Sequence, residues 1–221
     1  MGRRPADPIE AIEALGVVPV IAIEDEDDAL RLADALLEGG LPVAEITFRT
    51  PAAAGVIARI SAERPRLLVG AGTVLDLASL EAARGSGARF GLSPGFDAAI
   101  VEAASRAGFP FAPGVMTPSD LSAAAGRGLR TVKFFPAGAA GGPQALEAIA
   151  APFAHLKMRF IPTGGVNLET MADWLRLKSV AAVGGTWIAR PEDIAQRRFG
   201  EIARKARAAV EMARAVREAR G

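Results

Sequence analysis

Eight short runs rich in apolar and β-branched residues alternate with alanine-rich amphipathic segments along 221 residues. No composition break or linker interrupts the alternation. Together these observations predict an α/β protein, a single (β/α)8 TIM barrel over residues 1–221, with an extra N-terminal helix and an extended C-terminal helix. Eight is the number of units at which such a sheet closes, and this length lies at the compact end of the barrel range. An open doubly wound sheet is the alternative.

The elements follow in chain order. "MGRRPADPIEAIEALG" has two arginines but no apolar core of a signal peptide, and it reads as the extra amphipathic helix. The predicted strands are "VVPVIAI" (17–23), "VAEITFR" (43–49), "LLVGAGTV" (67–74) and "ARFGLSPG" (88–95), then "PFAPGV" (110–115), "TVKFFPA" (131–137), "RFIPTGG" (159–165) and "VAAVGGTW" (180–187). Segments such as "DEDDALRLADALLEGG" carry apolar residues at helical spacing and glycine just past the end. Thr50 before Pro51, Thr117 before Pro118, Asn167, Asp76 and Asp97 are the predicted helix caps. The last helix is predicted over roughly 191–218, alanine- and arginine-rich and solvated on one face.

Composition narrows the function. Half the residues are hydrophobic and the formal charge is +1, which lacks the basic footprint of a nucleic-acid binder. There is no cysteine, so thiolate metal sites and cysteine nucleophiles are excluded. A single histidine, His155, excludes a histidine-rich metal site and a conventional catalytic triad. Apolar runs are too short and too broken by charge or glycine for a membrane span. A soluble cytoplasmic protein is therefore expected; a carboxylate-bound metal is left open, with few acidic residues inside strands to hold it.

Charged residues inside two strands locate the chemistry. Strand residues alternate between a barrel's interior and its helix layer. In "VAEITFR", Ala44, Ile46 and Phe48 share an apolar face, whereas Val43, Glu45, Thr47 and Arg49 share the other, which should face inward. In "TVKFF", Lys133 falls on the inward face with Thr131 and Phe135. It is one of only four lysines in the chain. The two strands lie on opposite sides of an eight-stranded barrel, so Lys133 can approach Glu45 across the interior.

Filling space with buried ions contributes little net stability, and this fold carries its chemistry at the C-terminal ends of its strands. A neutral lysine adds to ketones to form a Schiff base. Glu45 would move protons, and Arg49 would hold a carboxylate. The trio points to carbon–carbon bond chemistry on a 2-oxo acid.

"PTGGV" and "VGGTW" follow the seventh and eighth strands, where this fold commonly binds phosphate. Glycines there let backbone N–H groups approach an anion, and a following helix N-terminus would add its dipole. "GAGTV" lacks nucleotide-loop spacing and reads as close backbone packing that presents Thr73. Pro94 and Pro113 are expected to wall the mouth. His155, Lys157, Lys178 and Lys205 read as surface residues, and Trp174 and Trp187 as packing between helix and strand.

Taken in order, "VVPVIAI", "EITFRT", "VGAGTV", "SPGF", "PGVMT", "VKFFPA", "IPTGG" and "VGGTW" closely resemble the 2-dehydro-3-deoxy-6-phosphogluconate (KDPG) aldolases over nearly the whole chain. The resemblance implies a class I lyase of the Entner–Doudoroff pathway that cleaves KDPG reversibly to pyruvate and glyceraldehyde 3-phosphate. Members also cleave 4-hydroxy-2-oxoglutarate (KHG) to pyruvate and glyoxylate. By resemblance, Lys133 is the Schiff-base lysine and Glu45 transfers protons. Arg49 and Thr73 bind the pyruvate carboxylate end. Pro94, Phe135 and Thr163 line the pocket. Gly164, Gly165, Gly184, Gly185 and Thr186 hold the substrate's polar tail and phosphate.

The family uses no metal or other cofactor and is typically a homotrimer. It commonly has serine where this chain has Thr186, whose extra methyl crowds the phosphate loop. Two other readings use the same residues: a phosphosugar isomerase or epimerase with Glu45 as base, and a non-catalytic barrel that binds a phosphorylated metabolite.

Overall fold

The β-branched runs become strands because their side chains can be buried on both faces of a parallel sheet covered by helices. The computed structural model describes residues 7–220. Its strands are β1 (Val17–Ile21), β2 (Val43–Thr47), β3 (Leu68–Gly72), β4 (Gly91–Leu92), β5 (Phe111–Ala112), β6 (Gly114–Val115), β7 (Thr131–Phe134), β8 (Arg159–Pro162) and β9 (Val183–Gly185).

All named pairs are parallel. They form one sheet in the order β5-β4-β3-β2-β1-β9 and another in the order β6-β7-β8. The fifth predicted strand is thus divided: Pro113, which has no N–H to give a ladder, separates β5 on β4 from β6 on β7. Isolated parallel bridges join Phe160 to Val180 and Thr163 to Gly184. The chain is therefore an α/β protein of curled parallel sheets.

Helices α1 (Pro8–Leu15), α2 (Ala29–Glu38), α3 (Ala53–Glu63), α4 (Leu77–Gly85), α5 (Ala98–Arg106), α6 (Pro118–Gly126), α7 (Gly142–Ala150), α8 (Met171–Leu175), α9 (Pro191–Ala195) and α10 (Phe199–Arg220) alternate with the strands. Helix α1 is the extra N-terminal helix, capped by Asp7; residues 1–6 of the predicted segment lie outside the described residues. Asp76, Asp97 and Thr117 cap α4, α5 and α6 as the sequence indicates.

Two expected caps differ. The Thr50 hydroxyl donates to the Ile23 carbonyl at 2.6 Å, and α3 starts later with Ala52 at its cap and no side-chain cap bond. Asn167 accepts from Thr170 N–H at 2.9 Å, which caps the turn before α8.

The single C-terminal helix expected over 191–218 is two helices. Arg197, at φ 53°, sits in the break between α9 and α10. Helix α10 also does more than face solvent. Ile202, Ala203, Ala206, Ala209 and Ala213 are buried on it, and Arg217 donates to the Ala14 and Ala181 carbonyls. Phe134, on the outer face of β7, meets Trp174 with ring centroids 6.2 Å apart. Among the described residues no helix is long and apolar enough to cross a membrane.

Asp193 joins these last two helices. It is buried on α9 and accepts from Arg198 and from Lys205. Burial alone would raise its pKa, but the bonds from Lys205 and Arg198 outweigh this and hold it below the ordinary carboxylate value. A depressed carboxylate pKa adds stability above the unfolded value, and that stability is lost as pH falls through the folded one. Asp193→Ala should therefore cost about 2 kcal/mol near neutral pH, or roughly 4–8 °C in Tm. Thermal unfolding as a function of pH should show the gap to wild type closing below about pH 3.9.

Candidate active site

The inward-facing charges meet as their alternation requires. Lys133 Nζ donates to Glu45 Oε1 at 3.1 Å from across the interior. Lys133 is 4% exposed and Glu45 0%. Glu45 Oε2 is also buried and has no hydrogen-bond partner among the described residues. The two groups are in direct hydrogen-bond contact. Oε2 keeps lone pairs with which it can accept a further donor. Lys133 Nζ also lies 5.7 Å from the centroid of the Phe135 ring.

Room for the carboxylate comes from the next strand. Thr47 lies opposite Gly72 in the β2–β3 register. A Cβ at Gly72 would fall 2.1 Å from Glu45 Oε1 and 2.6 Å from its Cγ. Gly72 is therefore the space in which Glu45 folds back towards Lys133. The spacing of "GAGTV" showed close packing but not what packs there. Thr73 follows at φ 56°, a conformation that costs a β-branched residue of order 1–3 kcal/mol and is kept where surrounding bonds impose it. Bonds from Phe48 N–H to the Gly72 carbonyl and from Val74 N–H to the Leu92 carbonyl flank it.

Lys133 opens onto a cavity of about 240 Å³. Its wall includes Arg49, Thr73, Pro94, Phe135, Thr163, Gly164, Gly165, Gly185 and Thr186, all picked out in the sequence, and also Val20, Thr47 and Val166, which were not assigned. Glu45 lies behind Lys133, and Gly184 lies behind Thr163 through their bridge. Arg49 pairs with no carboxylate among the described residues; its Nε donates to Thr47 Oγ1 at 3.1 Å. Pro113 is buried between β5 and β6 and is absent from the wall, in contrast to its expected place at the mouth.

The glycine pairs prove unlike. Gly164 and Gly165 have φ of 91° and 79°, so the turn itself requires glycine. Gly184 and Gly185 instead make room for side chains. A Cβ at Gly184 would meet Thr163 Oγ1 at 2.3 Å, and one at Gly185 would meet the Trp187 ring at 1.9 Å. No helix begins immediately after either pair; α8 starts at Met171 and α9 at Pro191. Gly164, Gly165 and the exposed Thr186 line this end of the cavity, and no helix N-terminus adjoins either glycine pair.

A larger cavity of about 660 Å³ lies away from these residues, beside Phe153, Lys157, Arg159, Arg176 and Lys178. It holds no inward carboxylate–amine pair. Chemistry, not volume, singles out the smaller one.

The chain matches the family model described as KDPG and KHG aldolase over residues 9–205. It is 41% identical over 204 residues to a 2-dehydro-3-deoxy-phosphogluconate aldolase of Haemophilus influenzae, across 92% of this chain and 95% of the relative. A KDPG aldolase of Legionella pneumophila, whose crystal structure holds pyruvate captured at low pH as a covalent carbinolamine intermediate, superposes with a TM-score of 0.87 at 39% identity, over 91% of this chain and 97% of that one. A 2-keto-3-deoxy-6-phosphogluconate aldolase of Zymomonas mobilis, solved with 3-phosphoglycerate, gives a TM-score of 0.83 at 38% identity, over 91% and 94%.

Proposed function

The chain belongs to the KDPG and KHG aldolase family, and from that premise we propose that it is a class I aldolase cleaving KDPG to pyruvate and glyceraldehyde 3-phosphate through an imine on Lys133. The observation that carries this reading is the Lys133–Glu45 pair, 3.1 Å apart beside a cavity that also presents an unpaired arginine. The carbinolamine described for the Legionella relative is the first covalent species such an amine would form.

The steps follow from the positions. Glu45 takes the proton of Lys133, and the neutral amine adds to the C2 ketone. Glu45 gives that proton to the carbinolamine hydroxyl, which departs as water and leaves a protonated imine. The regenerated Glu45 carboxylate removes the C4 hydroxyl proton, the C3–C4 bond breaks, and its electron pair moves into the imine to give an enamine. The aldehyde leaves, a proton returns to C3, and hydrolysis frees pyruvate and the lysine. Glu45 is the base and then the acid, with Oε2 free to accept while Oε1 faces the amine. Arg49 and Thr73 hold the carboxylate, and Pro94, Phe135 and Thr163 wall the reacting carbons. About 240 Å³ suits the pyruvyl half of the substrate, and the tail extends to Gly164, Gly165 and Thr186 at the rim. Gly184 and Gly185 shape that rim through Thr163 and Trp187. KHG shares the pyruvyl half, so its cleavage uses the same pair.

The finer architecture belongs to the same proposal. Closure into a (β/α)8 barrel is supported by β5 and β6 being one pass of chain and by the Thr163–Gly184 bridge between the two sheets. One continuous hydrophobic core supports a single catalytic domain. Assembly as a homotrimer follows the family and would cover Leu75, Leu77 and Met116, which are 62%, 50% and 44% exposed. A phosphorylated substrate supports a cytoplasmic location.

Borohydride reduction with pyruvate, followed by peptide mass mapping, tests the mechanism. One pyruvate-derived adduct on Lys133 is expected. Folded, active protein that forms no adduct at a pH where the amine reacts would remove the imine and leave Glu45 as a non-covalent base.

A further inference from the structure

We propose that Thr47 is a positioning residue that fixes the direction of the Arg49 guanidinium and thereby the site's hold on the substrate carboxylate. The inference rests on the reading of Arg49 as the carboxylate clamp.

Thr47 ends β2 and is 1% exposed. Its hydroxyl donates to the Ile21 carbonyl of β1 at 2.9 Å. A hydroxyl has one proton to give, so towards the cavity this oxygen can only accept. It accepts from Arg49 Nε at 3.1 Å. Two consequences follow. Thr47 cannot donate to a carboxylate, so although its side chain lines the cavity it does not act as a carboxylate donor. It also ties an otherwise exposed, rotamer-rich side chain to the sheet at Nε. The four N–H bonds on Nη1 and Nη2 stay free, and these form the planar fork that matches a carboxylate's two oxygens.

A chain of three groups thus runs from the β1 backbone through Thr47 to Arg49. The residue types fit the task. Valine has the same shape but no oxygen, and serine keeps the oxygen without the methyl.

The test compares Thr47→Val, Thr47→Ala and Thr47→Ser in the aldol-addition direction, with pyruvate as the varied substrate. Arg49→Ala and the Arg49→Ala/Thr47→Val double variant complete a cycle. Thr47→Val and Thr47→Ala should raise the KM for pyruvate by about tenfold to a hundredfold, the scale of losing a hydrogen bond to a charged group. The kcat at saturation should stay within a few-fold, and Thr47→Ser should stay close to wild type in both. On the Arg49→Ala background the valine substitution should add almost nothing. The alanine variant covers the case in which valine folds poorly.

A normal KM in the folded valine and alanine variants, beside a weakened Arg49→Ala, would overturn this inference alone. So would an undiminished effect of valine on the Arg49→Ala background. An Arg49→Ala enzyme that handles pyruvate normally would overturn the carboxylate reading, and the role of Thr47 with it.

Discussion

A Lys133→Ala enzyme should form no pyruvate imine and lose at least about ten-thousand-fold in turnover, the scale on which removing a covalent nucleophile leaves only binding and electrostatics. No other described lysine can take its place. Lys205 is tied to Asp193, and Lys157 and Lys178 border the larger cavity away from Glu45. The substitution also strands a fully buried carboxylate. Removing one partner of a buried ion pair typically costs about 3–5 kcal/mol, which for a chain of this size lowers Tm by roughly 6–20 °C. A Glu45→Gln/Lys133→Met variant removes both charges and should recover most of that stability while staying inactive. Coupled assays of KDPG cleavage, borohydride trapping and thermal unfolding separate the two effects. Retained imine in Lys133→Ala would assign the nucleophile to another amine. An inactive double variant with wild-type stability or better would show that the pair is kept for chemistry at a cost to the fold.

The period-two reading of "VAEITFR" and "TVKFF" was enough to bring Glu45 and Lys133 together, because a strand gives each side chain only two directions and the opposite faces were wholly apolar. The cap residues Asp76, Asp97 and Thr117 were legible for a similar reason: each bonds within three residues of itself. What could not be read depended on neighbours distant in sequence. Thr50 spends its proton on the Ile23 carbonyl instead of capping α3, and Thr47, inward as its alternation requires, spends its proton on the Ile21 carbonyl. Gly72 looked like backbone packing until the Glu45 side chain was seen to fill its missing Cβ. Gly184 and Gly185 carried a phosphate-loop signal, yet Thr163 and Trp187 also demand glycine there. The break at Arg197 separates two stretches that both have helical spacing, so periodicity alone joined them.

Glu45→Gln should separate imine formation from the steps that follow it. Glutamine preserves the shape and can accept through its amide oxygen, but it can neither take the C4 hydroxyl proton nor return one to C3. Positioned proton transfer contributes about a hundred- to ten-thousand-fold, so KDPG cleavage should fall by that range. The substitution leaves the Lys133 amine in place beside the cavity. Borohydride should therefore still trap pyruvate on Lys133. The clearest readout is exchange of the pyruvate methyl protons with deuterated water, followed by NMR. That exchange needs the enamine but no aldehyde, so it isolates proton transfer at C3 from aldehyde binding at the rim. It should drop in parallel with cleavage. If exchange stayed at the wild-type rate while trapping was normal, a group other than Glu45 would move the C3 proton, and the unpartnered Oε2 would need a different purpose. If trapping failed as well, the carboxylate would be required for the carbinolamine to lose water, which places its role one step earlier on the same imine.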